Sequence, residues 1–172
     1  MAARKSAGKM LRCARLDDSD EEIFEKAAAP GEWAIPGSFE FLDDDETRLT
    51  GKRRQAFNAG FLGLSSFGWC TIVSIAEASE DQIDEAAECL GRYLLEHFGA
   101  PDRTAALKAA RSEIEYAASL CEYETGTLIA VERKLTADGI EERFKRFIPE
   151  RGADWEEARP ISLADLVKHQ DL

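Results

Sequence analysis

Apolar positions in this chain follow two rhythms. Between residues 79 and 98 they recur at Ile83, Ala87, Leu90, Leu94 and Phe98, the spacing of one face of a helix. Ser79 followed by Gln82 has the form of a capping box, and Gly99 with Pro101 divides this helix from the next. A matching stripe follows at Leu107, Ala110, Ile114, Ala117 and Cys121. Each helix has one apolar face, so the pair is expected to lie together against a sheet.

The second rhythm has period two. Trp69, Thr71, Val73 and Ile75 alternate with Cys70, Ile72, Ser74 and Ala76, and both sets are largely apolar and rich in β-branched side chains. That pattern predicts a central strand over 67–76. Residues 10–16, MLRCARL, alternate as an edge strand, and residues 38–42, SFEFL, alternate again as a strand. Between them DDSDEEIFEKAAA predicts a short helix over about 20–28, with Ser19 and Glu22 spaced as a second capping box. Pro30-Gly31 ends it and Pro36-Gly37 marks a turn, while Thr50 caps a helix reaching Asn58 or Gly60.

Residues 127–135 and 140–148 read as a hairpin, and charge selects its register. A four-residue loop, Thr136-Ala137-Asp138-Gly139, sets Lys134 opposite Glu141, Arg133 opposite Glu142 and Glu132 opposite Arg143. A three-residue loop places Arg133 against Arg143 instead. Opposite charges across a pair contribute ~0.2–1 kcal/mol and like charges cost a similar amount, so the four-residue loop is preferred.

These elements define an α+β fold, a mainly antiparallel sheet of about five strands covered on one face by the two long helices. The chain of 172 residues accommodates one domain, at 10–150. Residues 1–9, with Arg4, Lys5 and Lys9, form a flexible basic tail. Residues 151–172 form a polar C-terminal tail in which Ser162 and Asp165 can start a short helix.

Charge narrows the function. A formal net charge of −12 repels phosphate backbones, which disfavours a nucleic-acid partner. No apolar run approaches the ~20 residues of a membrane span, and the N-terminus lacks the apolar core of a signal peptide, so a cytoplasmic location is expected. Cys13, Cys70, Cys89 and Cys121 sit among apolar neighbours and read as reduced thiols without a disulfide framework.

Chemistry-bearing motifs are scarce. The glycines at 60, 63 and 68 in GFLGLSSFGWC precede a strand, whereas phosphate loops follow one and open a helix. Leu64-Ser65-Ser66-Phe67-Gly68 falls one residue short of a nucleophile elbow and lies in the wrong order, so Ser66 reads as a turn hydroxyl. His97 and His169 form no local metal-ligand pair. Asp43-Asp44-Asp45-Glu46 reads as a solvated turn, and Glu113 and Glu115 as solvent-facing carboxylates beside a core isoleucine. Cys70 reads as buried. No catalytic residue, metal or cofactor is expected.

Four strings taken in order, RLDDSDEEIFEKAAAPGEWAIPGSFEF, AFNAGFLGLSSFGWCTIV, HFGAPD and GTLIAVER, resemble a small family of uncharacterised proteobacterial proteins of about this length. The resemblance covers roughly residues 10–150 and transfers no catalytic residue. It implies a role beside the machinery that matures molybdenum or iron–sulfur oxidoreductases.

Together these readings favour a cytosolic, non-catalytic accessory or protein-binding protein that assists assembly of a metallo-oxidoreductase. A small enzyme acting on a compact metabolite is the alternative, with Glu32, Glu113 and Arg54 available, and a structural subunit of a homo-oligomer is a third. The partner-binding candidates are Trp33, Phe61 and Trp69, since exposed aromatics anchor interfaces. Trp33 and Phe61 are expected to rim a shallow apolar groove beside a tight Gly60–Gly68 loop, whose glycines permit close approach and positive φ.

Overall fold

The structure is a computed structural model that describes residues 6–15, 18–147 and 156–158. Strand β1 spans Ser6–Ala14, helix α1 Ser19–Ile23 and strand β2 Trp33–Ile35. A 3-10 helix at Ser38–Phe41 leads to α2 at Gly51–Ala59 and to the short strands β3, Phe61–Gly63, and β4, Trp69–Cys70. Strand β5, Ile72–Ser79, precedes the long helices α3, Glu80–His97, and α4, Arg103–Ser119. Strands β6, Leu128–Thr136, β7, Gly139–Phe147, and β8, Glu156–Ala158, follow.

The class is α+β as expected, but the sheet is larger. Eight strands pair antiparallel in the order β4-β3-β2-β1-β5-β6-β7-β8. Only Thr71 separates the end of β4 from the start of β5. The ladder β4-β3-β2-β1-β5 therefore returns to the stretch of chain where it began, and the sheet curls into a ring. Phe61 of β3 and Phe144 of β7 confirm the curvature, with ring centroids 6.4 Å apart. Five strand steps on a flat sheet would separate them by about 24 Å. The register puts Leu11, Cys13, Val73, Ile75, Val131 and Phe144 on one face, and all six are buried.

Asp20 holds the bend that closes the ring. Its buried carboxylate accepts from Thr71 Oγ1 at 2.9 Å and from Thr71 N at 3.4 Å. This contact explains why α1 is short. The helix lacks a side-chain cap, and Asp20 and Phe24 both turn inward, Phe24 into a second apolar cluster with Phe41, Leu49, Ala56 and Phe57. The helix expected over 20–28 stops at Ile23 for that reason.

Helices α3 and α4 form as expected. Ser79 Oγ accepts from Gln82 N at 3.2 Å, and Gln82 Oε1 accepts from Ser79 N at 2.9 Å. The two helices pack on each other at Gly91, where a Cβ would stand 3.5 Å from the Leu107 backbone, and against β1, β2 and β5. Helix α2 packs elsewhere, against β6. One-sided cover by two helices is thus too simple a description.

Other expectations are corrected. The stretch read as an edge strand, β1, lies inside the sheet between β2 and β5, and it starts at Ser6, within the expected tail. Residues 38–42 are not a strand, because Phe39 and Phe41 serve different neighbours. Phe39 packs on Phe98 and Phe41 on Phe57, which a 3-10 turn after left-handed Gly37 permits. The strand expected over 67–76 begins at Trp69 and breaks at Thr71. The hairpin register matches the charge argument pair by pair, with Thr136 and Gly139 also paired. The helix expected near Ser162 and residues 1–5 lie outside the described residues.

Candidate functional site

The Gly60–Cys70 stretch is the hairpin of β3 and β4. Its glycines serve close approach alone. A Cβ at Gly68 would stand 2.6 Å from the Ala27 carbonyl carbon, and one at Gly63 would stand 2.7 Å from Glu32 Oε1. The left-handed position in this loop falls on Phe67 instead, at φ 56°. Stacking compensates there, since the Phe67 ring lies parallel to Tyr93 with centroids 3.9 Å apart.

Glu32 organises the loop. Its carboxylate accepts from Ser65 N at 3.0 Å, Ser66 N at 2.6 Å, Ser66 Oγ at 2.7 Å and Ala29 N at 2.5 Å. Burial by itself raises this carboxyl's pKa, but the hydrogen bonds from Ser66, Ala29 and Ser65 outweigh it and hold the group below its ordinary value. Ser66 Oγ also accepts from Gly68 N at 3.0 Å, so the turn-hydroxyl reading of Ser66 stands.

Beside this loop is an open groove of about 400 Å³. Pro30, Glu32, Trp33, Leu64 and Ser65 line one side, and Glu85, Ala86 and Cys89 of α3 line the other. The half-buried Trp33 carries the Arg12 guanidinium over its ring, 4.7 Å from the centroid, while Arg12 Nε donates to Gly31 O. Of the three expected partner-binding residues, Trp33 alone lines the groove. Phe61 is 0% exposed and rims nothing, because its strand faces the inside of the ring. Trp69 is half-buried and packs on Phe41 at 5.1 Å, shared between the two apolar clusters.

Aromatic surface also appears where helix periodicity predicts core. Phe98 is 39% exposed at the end of α3, packed edge-to-face on Phe39 at 5.0 Å and near Tyr93 at 5.4 Å. The helix stops there, so the last residue of the stripe lies past the sheet.

A second constellation surrounds Arg133. It is 2% exposed, and its Nη1 donates to Ala56 O, Phe57 O and Gly60 O at 3.3, 3.0 and 2.7 Å. Its Nη2 donates to Pro36 O. Three of these carbonyls close the C-terminus of α2, so one guanidinium caps that helix from the sheet. Glu142 Oε2 lies 3.8 Å from Arg133 Nε.

Glu113 of α4 is half-buried within reach of Glu142's charge, rather than fully solvent-facing as expected. Burial, and then the charge of Glu142, push its carboxyl pKa up. Burial and Glu142 likewise raise the Tyr116 hydroxyl. A carboxyl whose pKa is raised, set near a carboxylate, a phenol and a guanidinium, has the surroundings that proton transfer uses. The sequence signal for this cluster is Arg133 itself, a charge in the inward alternation of Ile129, Val131, Arg133 and Leu135.

Among the described residues no helix is long and apolar enough to cross a membrane. Residues 8–159 match the model of DUF6505, described as a family of unknown function. No curated protein and no solved structure matches the chain.

Proposed function

The chain belongs to the DUF6505 family, and we propose that it is a cytoplasmic, non-catalytic accessory protein that binds a partner protein at the Trp33 groove. The observation that carries this reading is the groove's make-up. A half-buried tryptophan supplies apolar contact, and Glu32 and Glu85 supply negative charge. With a chain charge of −12, the fitting occupant is a cationic protein segment with one apolar anchor, and anionic surfaces are repelled. The client implied by the family resemblance is a metallo-oxidoreductase under assembly.

The test is a screen of immobilised protein against a library of Lys- and Arg-rich peptides. Binders are expected whose affinity falls at least about tenfold in Trp33→Ala, the cost of losing an aromatic anchor. The variant's melting temperature should stay close to that of the wild type. Equal binding by both proteins, or no binder at all, overturns the reading.

The raised carboxyl pKa of Glu113 beside Glu142 favours one second reading, a small enzyme acting on a compact metabolite. A metabolite at 100 times its Kd stabilises the fold by ~2.7 kcal/mol. A library that leaves the melting temperature unmoved removes this alternative.

A further inference from the structure

Two cysteines far apart in sequence meet inside the ring. Cys13 lies near the end of β1 and Cys70 ends β4, and both are buried. Their sulfurs stand 2.9 Å apart. Strands β1 and β4 are not ladder neighbours, since β2 and β3 stand between them in the order. The register nevertheless places both side chains on one face, through Leu11 opposite Ala34, Ala34 opposite Gly63 and Phe61 opposite Cys70. Closure of the ring at Thr71 then brings that face round on itself. The other two cysteines are placed differently. Cys121 Sγ donates to Ala117 O at 3.6 Å, and Cys89 lines the surface groove.

We propose that Cys13 and Cys70 are a redox pair, which hydrogen peroxide converts into an intramolecular disulfide that fastens β1 to the β4–β5 bend. One thiol gives up its proton and the thiolate attacks a peroxide oxygen; the O–O bond breaks and the leaving hydroxide takes up that proton, giving a sulfenic acid and one water. The second thiol displaces the sulfenic hydroxyl as another water and forms the S–S bond. Two S–H bonds are lost, and the two electrons from the sulfurs reduce one peroxide to two waters. The sulfurs need to approach by roughly 0.9 Å to reach the ~2.05 Å of a disulfide. With the resolving thiol already in contact, the sulfenic acid closes to the disulfide before it can oxidise further. A small oxidant suits the buried position. The hydrogen bond to Cys13 and burial both raise the Cys70 thiol pKa, so the reaction in the folded protein is slow near neutral pH and faster in alkali.

The experiment treats the full chain with hydrogen peroxide at about pH 8, where thiolate forms more readily. Free thiols are then alkylated in denaturant, and the protein is digested without reductant for mass spectrometry. The expected result is a cross-linked Cys13–Cys70 peptide with Cys89 and Cys121 in no disulfide, and dithiothreitol then releases Cys13 and Cys70 as free thiols. The oxidised protein should melt about 5–10 °C higher than the reduced one, since the link constrains a long loop. Cys13→Ala and Cys70→Ala should lose both the cross-link and the shift. Four alkylated cysteines after treatment, a different dominant linkage, or sulfinic acid at Cys13 or Cys70 overturns the proposal. The wild-type peptide map decides this even if a variant fails to fold.

Discussion

The guanidinium of Arg133 reaches carbonyls from two separate places, the end of α2 and Pro36 beyond β2. No other donor of that reach and planarity exists among the side chains. Arg133→Met should therefore lower unfolding free energy by about 3 kcal/mol, through orphaned carbonyls and an uncompensated Glu142. Arg133→Lys should recover less than half, because an ammonium cannot serve both ends of the fork. Urea titration measures this, and a Met variant within about 1 kcal/mol of wild type refutes the capping role. Glu113 acts on stability in the opposite sense to a paired carboxylate. Its folded pKa is raised, so the native state binds more protons than the unfolded chain between the unfolded and folded pKa values. Stability contributed by the neutral form is full below the unfolded value and is lost as pH rises through the folded one. Glu113→Gln should gain on wild type as pH increases from about 4 to 7, judged by melting temperature across that range. A constant difference across the range counts against the buried assignment.

Elements differ in how far their own residues dictate them. Helices α3 and α4 and the β6–β7 hairpin were legible because capping, periodicity and cross-strand charge act over a few residues. SFEFL is ambiguous, because alternation of two phenylalanines is compatible with a strand and with a turn that sends each ring to a different cluster. The Gly60–Cys70 loop is legible as a place of close approach, while its positive φ falls on Phe67 rather than on a glycine. Gly68 carries the tightest contact, so Gly68→Ala should cost about 1–3 kcal/mol by forcing the loop off the Ala27 backbone. Chemical denaturation tests it. A neutral substitution would show that the loop yields easily, and the 63–69 turn would then lose its role in positioning Leu64 and Ser65.

At the scale of the molecule, ring closure is the feature on which the groove and the thiol pair both depend. Asp20 bonds the one residue between β4 and β5, and Asp20→Ala should cost about 2 kcal/mol as hydrogen bonds to a buried carboxylate are lost. Amide hydrogen exchange should show the bend opening first, with protection lost around 69–73 before α3 and α4 are affected. Uniform loss of protection would mean that the bend is not a separate point of weakness. Of the candidate site, Trp33 was identifiable as an aromatic flanked by turns, whereas Phe61 was not separable from it by composition. Both are large, apolar and close to glycines, and only the curl of the sheet buries one and leaves the other at a groove.

The sequence by itself determined the α+β class, the two long helices with the capping box of the first, the hairpin register and the net acidity, since each follows from interactions between residues near in the chain or from summed charge. Tertiary structure alone decided the eight-strand order, the closure at Thr71, the burial of Arg133, the half-burial of Glu113, and the meeting of Cys13 with Cys70. Those features join residues separated by tens of positions. Which distant strands pair depends on how the whole set buries its apolar faces and satisfies its backbone groups, and no local spacing encodes that choice.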